Sequence, residues 1–145
     1  MTLDWLLWYY ARALELPFPV LRTLLTHGLP ITRVNIDDRI ELLVFGIRHC
    51  PCGPAVEHAG GTKQWYRNGL LHRDDGPAIE WAGNKQWWRN GQMHRDDGPA
   101  VDYDYYKAWY HNGLLHRDDG PAVERSNGNH EYWRNGIQYW PSNQK

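Results

Sequence analysis

The residues best suited to chemistry lie in a recurring string, His-Arg-Asp-Asp-Gly-Pro-Ala, that begins at His72, His94 and His116; the differences 94 − 72 and 116 − 94 are both 22. A protein kinase uses the letters H-R-D in its catalytic loop, with the Asp as base. Copies at a fixed period cannot each be a catalytic loop, and no D-F-G or Gly-rich phosphate loop accompanies them. An architectural role is therefore expected: Asp74, Asp96 and Asp118, with Asp75, Asp97 and Asp119, cap turns through local side-chain bonds, while Arg73, Arg95 and Arg117 pair with neighbouring units. His49, Cys50, Cys52 and His58 are donor types that zinc accepts, but C-x-C is a poor ligand spacing, and the two cysteines fall at the turn that other copies fill with Arg-Asp-Asp. No catalytic residue, metal or cofactor is expected. The histidines should form a ladder on one edge, serving packing first and pH sensitivity second.

The string belongs to a longer period, and a period decides architecture before local propensity does. Asn68-Gly69, Asn90-Gly91, Asn112-Gly113 and Asn135-Gly136 each follow an aromatic couple, namely Trp65-Tyr66, Trp87-Trp88, Trp109-Tyr110 and Tyr132-Trp133. The stretch from Gly46 to Ala55 aligns on Gly69 to Ala78, keeping the Gly, the His and the Gly-Pro-Ala. Carried further back, the register predicts a worn first hairpin over Ile31 to Phe45, with strands on either side of Asp37-Asp38. A helix over Ile36 to Val44 competes, because Ile36, Ile40, Leu43 and Val44 also fit a helical spacing. Register and β-branched content favour strands.

Each unit reads as two strands, such as Pro99 to Tyr103 and Lys85 to Arg89, joined by tight turns whose positive φ Asn and Gly supply. The structural turn set is Asn68, Gly69, His72, Asp75, Gly76; Asn90, Gly91, His94, Asp97, Gly98; and Asn112, Gly113, His116, Asp119, Gly120. Gln92-Met93-His94 is open between a short third strand and an ordered loop. Pro77, Pro99 and Pro121 belong at strand starts, where a missing N–H is harmless. Upstream, Leu3, Leu6, Leu7, Tyr10 and Leu14 mark an amphipathic helix ended by Pro17, and Pro19 and Gly28 bracket a second. The predicted organisation is a helical cap over 1–29, a β-hairpin array over 30–140 (worn over 30–53, clear over 54–140) and a polar tail over 141–145.

Sixteen Lys plus Arg against 17 Asp plus Glu leave a formal charge of −1, which gives no global pull toward nucleic acid or anionic membrane. Cys50 and Cys52 are too close in sequence to staple distant segments, and no cationic, apolar leader or membrane-spanning run is read, so a cytoplasmic setting is expected. Nine Trp and nine Tyr against two Phe supply rings that tolerate half-wet faces. Adjacent strand residues point oppositely, so Trp65, Trp87, Trp109 and Tyr132 should line one face and Tyr66, Trp88, Tyr110 and Trp133 the other. One column should hold the stack; the other, flanked by Arg67, Arg89 and Arg134, has the composition of a partner-binding face.

The string from Tyr66 to Gly76, echoed at the later units, resembles the MORN repeat, and particularly its bacterial and viral antitoxin-type variant. That resemblance implies a mainly β, single-layer stack of antiparallel hairpins with no catalytic residues, serving protein or lipid binding, and in the antitoxin-type variant blocking a partner protein in the cytoplasm, the host's if the source is viral. The family's aromatic pair falls on Trp65 and Tyr66, its turn on Asn68 and Gly69, and its His-turn-Gly on His72 and Gly76. The chain departs by lacking the glycine between the aromatics and by inserting Arg-Asp-Asp, which argues against lipid. The expected function is partner-protein sequestration or inhibition, of the antitoxin, immunity or phage counter-defence kind. Its competitors are single-stranded nucleic acid stacking on the rings, disfavoured by charge, and capture of a small cation. Free sheet edges make homo-oligomerisation conceivable.

Overall fold

The computed structural model describes residues 31–44, 46–50 and 53–141, which are short strands joined by turns, bends and irregular links, with no helix among them. The expected helical cap over 1–29 and all of the tail beyond Pro141 lie outside the described residues. By its contacts the chain divides between Leu70 and Leu71 into two compact units.

In the first unit, β1 (Ile31–Ile36) and β2 (Arg39–Val44) form the worn hairpin, turning at Asp37 with φ 45°. The strand reading of Ile36 to Val44 therefore holds over the helical one. β4 (Val56–His58) and β5 (Lys63–Gln64) continue the antiparallel order β1-β2-β4-β5, and β3 (Ile47–Arg48) folds back on β2. This hairpin is worn for a physical reason. Where later units put Leu71, Met93 and Leu115, it has Arg48, which donates to buried Glu41 at 2.9 Å; Arg39 reaches the same carboxylate at 2.7 Å. Arg48 first, then Arg39, holds the Glu41 carboxyl below its ordinary range. An ion pair has replaced an apolar contact, and its desolvation cost leaves less net stability than a leucine gives.

The second unit runs β8 (Ile79–Trp81), β9 (Asn84–Gln86), β12 (Val101–Tyr103), β13 (Tyr106–Ala108), β16 (Val123–Arg125), β17 (His130–Arg134) and β18 (Ile137–Tyr139), each antiparallel to its neighbour in that order. Within this unit small hairpins branch off: β10 (Trp88–Arg89) with β11 (Gln92–Met93), and β14 (Tyr110–His111) with β15 (Leu114–Leu115); the strands β6 (Tyr66–Arg67) and β7 (Leu70–Leu71) flank the Asn68-Gly69 turn. Gln92-Met93 is thus a short third strand. The branch point is a single aromatic residue. Trp87 N–H donates to Ala100 O at 2.8 Å in the next unit, while its carbonyl accepts from His94 N–H at 3.1 Å; Trp109 does the same with Ala122 and His116.

The turns follow their letters. Asn and Gly at each Asn-Gly hairpin both take positive φ, as at Asn90 (49°) and Gly91 (77°), the combination that matches strand twist in a two-residue turn. Behind the strands the core is small: Ala78, Ala100 and Ala122 are fully buried, and Val101, Ala108 and Val123 form a cluster against half-buried Met93, Tyr103, Tyr106, Tyr110, Leu115 and Trp133. Pro77, Pro99 and Pro121 lie two residues ahead of β8, β12 and β16 and so disturb no ladder bond.

Candidate functional site

The histidines are staples between hairpins. His72 Nδ1 accepts the backbone N–H of Asn90 at 3.0 Å, His94 that of Asn112 at 3.1 Å, and His116 that of Asn135 at 3.2 Å; His49 accepts from Asn68 at 3.1 Å. An Nδ1 that accepts leaves the ring proton on Nε2, which faces a carboxylate: Asp74 at 2.8 Å, Asp96 at 3.1 Å and Asp118 at 3.3 Å. The imidazole thereby ties one unit's corner to the next unit's Asn-Gly turn. His49 is the exception. Its corner has Pro51 where the others have Asp, and its buried Nε2 has no partner among the described residues. Burial, helped by the Arg67 charge, lowers the His49 pKa.

The arginines of the same string are clamps. Arg95 Nε donates to Asp97 at 2.9 Å and its Nη1 to Pro99 O at 3.3 Å, while the guanidinium lies 3.9 Å from the Trp87 ring centroid. Arg117 repeats this with Asp119, Pro121 O and Trp109, the ring at 4.0 Å. Arg73 binds Asp75 and Pro77 O, and adds Glu80 at 3.0 Å, as Arg117 adds Glu124 at 2.7 Å. Glycine closes the corner because a Cβ on Gly76, Gly98 or Gly120 would sit 3.0, 2.9 or 3.1 Å from the guanidinium carbon. Arg95 and Arg117 hold Asp97 and Asp119 below the ordinary carboxylate range. The expected pairing with neighbouring units is met by Arg73 and Arg117, which reach Glu80 on β8 and Glu124 on β16 of the following unit, while each guanidinium also closes a clamp at its own corner; the aspartates serve their own His and Arg as well as the turn.

His94, Asp96 and His111 place ligand-type atoms within 4.8 Å of one another. The hydrogen bonds oppose a metal there. His94 Nδ1 is occupied by the Asn112 N–H, so Nε2 carries the proton and has no lone pair to give, and the Arg89 guanidinium, 3.2 Å from Asp96, brings a positive charge to the same place. His94 and Arg89 lower the Asp96 pKa instead.

Both aromatic columns are half-buried, so neither face is simply core. In the column assigned to binding, Tyr66 donates to Gln64 at 3.0 Å, Trp88 to Gln86 at 2.9 Å and Trp133 to Glu131 at 3.0 Å. Ala108 stands where those acceptors stand, and Tyr110 instead lies beside Tyr106, with burial raising both phenol pKa values. Trp87 and Trp109, in the opposite column, lie under the clamp arginines. Of the flanking arginines, Arg89 reaches Asp96 at 3.2 Å and Arg134 reaches Asp118 at 3.3 Å. His111 takes the equivalent place in the third unit.

A further aromatic group lies at the opposite edge, on the hairpin tips. Trp81 meets Tyr103 edge-on at 5.1 Å between centroids, and Tyr103 has Tyr105 at 6.0 Å and Tyr106 at 6.2 Å. Pattern reading passes over these rings because they do not recur: position 81 becomes Tyr103 and then Arg125 in successive units. Their signal is local, a Tyr-Asp-Tyr-Tyr run at a turn. The chain matches no family model, no curated protein and no solved structure.

Proposed function

We propose that this chain is a non-enzymatic, MORN-like repeat module that binds a partner protein in the cytoplasm and sequesters or inhibits it, as an antitoxin, an immunity protein or a phage counter-defence factor does. One observation carries this reading: the residues with chemical potential are consumed by architecture, while the rings remain half-exposed. His72, His94 and His116 each tie a backbone N–H at Nδ1, Arg73, Arg95 and Arg117 are paired with carboxylates, and among the described residues no nucleophile, base and oxyanion donor converge. In the second unit Trp88, Tyr110 and Trp133, bordered by Arg89 and Arg134, offer the side chains that dominate protein-interface energetics, and in the first unit Tyr66 beside Arg67 offers the same types. Arg89 and Arg134 are already paired with aspartates, which supports protein over nucleic acid as the ligand.

The test is affinity capture from the native cell followed by mass spectrometry, run in parallel with the Trp88→Ala and Tyr110→Ala variants after melting curves confirm that each is folded. A protein captured by the parent chain and lost from both variants is the expected result. Undiminished capture by both removes this face from consideration.

A further inference from the structure

Resting on the partner-binding reading, we propose that the partner presents a basic segment, and that the tip cluster Trp81, Tyr103, Tyr105 and Tyr106 with Asp104 takes its Arg or Lys side chains. Tyr105 is 65% exposed, yet its backbone is fixed: its carbonyl accepts Ser126 N–H from the neighbouring tip at 3.1 Å. Tyr103 is fixed too, its hydroxyl accepting from Gln86 Nε2. These are rings held ready at low entropic cost, which is what a binding anchor needs. The tip itself departs from local preference. At the preceding tip Ala82 and Gly83 take φ of 45° and 87°, but neither Asp104 nor Tyr105 has positive φ. A two-residue hairpin favours Asn-Gly or a like pair in the left-handed region, so an acidic residue and a bulky ring here answer to something other than the turn.

Charge selects the occupant. On the ring face, Arg125 already stacks over Tyr106 at 5.6 Å and is neutralised by Glu131 at 2.6 Å. The chain therefore uses guanidinium on tyrosine at this very place, as it uses guanidinium on tryptophan at its corners. Lys107 is directed by strand alternation to the other face and lies 3.7 Å from Asp102. Asp104 pairs with no cation among the described residues, and no guanidinium of theirs covers Tyr103 or Tyr105. Open π faces beside an unspent carboxylate attract a cation and repel an acidic segment.

Hexa-arginine peptide, with hexa-glutamate as the control, is titrated into the full chain at low salt and followed by tryptophan fluorescence and by amide shifts. Hexa-arginine is expected to bind and to shift Tyr103, Tyr105 and Tyr106. Tyr105→Ala and Asp104→Asn should each weaken it about tenfold, and Asp97→Asn, on the remote corner row, should leave it unchanged. No binding by the parent chain, or equal losses in Asp97→Asn and Asp104→Asn, overturns the proposal. The outcome separates the two claims: a captured partner insensitive to both tip variants sinks the tip and spares the binding module, whereas peptide binding with no partner captured supports the tip and counts against sequestration.

Discussion

At the scale of single residues, the imidazole shows how much structural meaning a repeated letter carries. A histidine whose Nδ1 accepts a backbone N–H holds that neighbouring turn only while neutral. His49 makes this measurable, because it is buried, its Nε2 is unpartnered and its folded-state pKa lies below the ordinary value of 6.5. The unfolded chain therefore binds a proton more readily than the folded one, so stability is full above about pH 6.5 and falls as pH drops toward the folded value, levelling off below it. Urea midpoints measured from pH 7.5 down to pH 5 should decline, and His49→Gln should remove part of that slope. A slope unchanged by the substitution would place the proton uptake elsewhere. That histidines recur is legible in the letters; that they staple is not, because the donor is a backbone N–H 18 or 19 residues away.

At the scale of the hairpin, the unit is built from connections that cross its own boundary. In the Trp87-Trp88 and Trp109-Tyr110 couples the second aromatic starts a small hairpin, the first divides its N–H and carbonyl between two sheets, and the histidine that follows pins the next turn. Much of this was readable in advance. The Asn-Gly turns and the strand assignment of Ile31 to Val44 follow from turn chemistry and a period of two. The Arg-on-Trp clamp was hidden because it joins positions eight residues apart, as in Trp87 and Arg95, whose approach depends on the intervening turn. Removing a staple should therefore uncouple neighbouring hairpins. His94→Ala leaves the Asn112 N–H without its part-buried acceptor, a loss of about 0.5–1.5 kcal/mol of unfolding free energy. His116→Ala should cost less, since the His116 side chain is 24% exposed against 3% for His94 and water can replace the bond. Chemical denaturation of the two variants side by side tests the order; a larger loss at His116 contradicts the staple account.

At the scale of the molecule, an array of this kind gains stability from each unit's contact with the next, and among the described residues the hairpin of β17 and β18 has a neighbour on one side. The exposures show the deficit. Leu114 is 49% exposed because the Gly136 turn approaches its side chain, with a Cβ on that glycine 3.3 Å from Leu114 Cδ2, while Ile137 at the equivalent place is 72% exposed. The histidine is missing from the same unit: Tyr139 stands at its position, so no ring nitrogen waits for a further turn, and Arg134 rests 5.2 Å from the Tyr139 ring instead. Energetic consequences follow the same gradient. Val123 is 1% exposed in the core cluster, so Val123→Ala removes two buried methyl groups and should cost about 2 kcal/mol, whereas Ile137→Ala should stay within about 0.5 kcal/mol. Hydrogen exchange gives the sharper readout: amides of β16 should exchange through global opening and those of β18 through local fraying. Equal protection in the two strands would mean that the last hairpin is as firmly held as the interior, and the account of the array as a chain of neighbour contacts would fail.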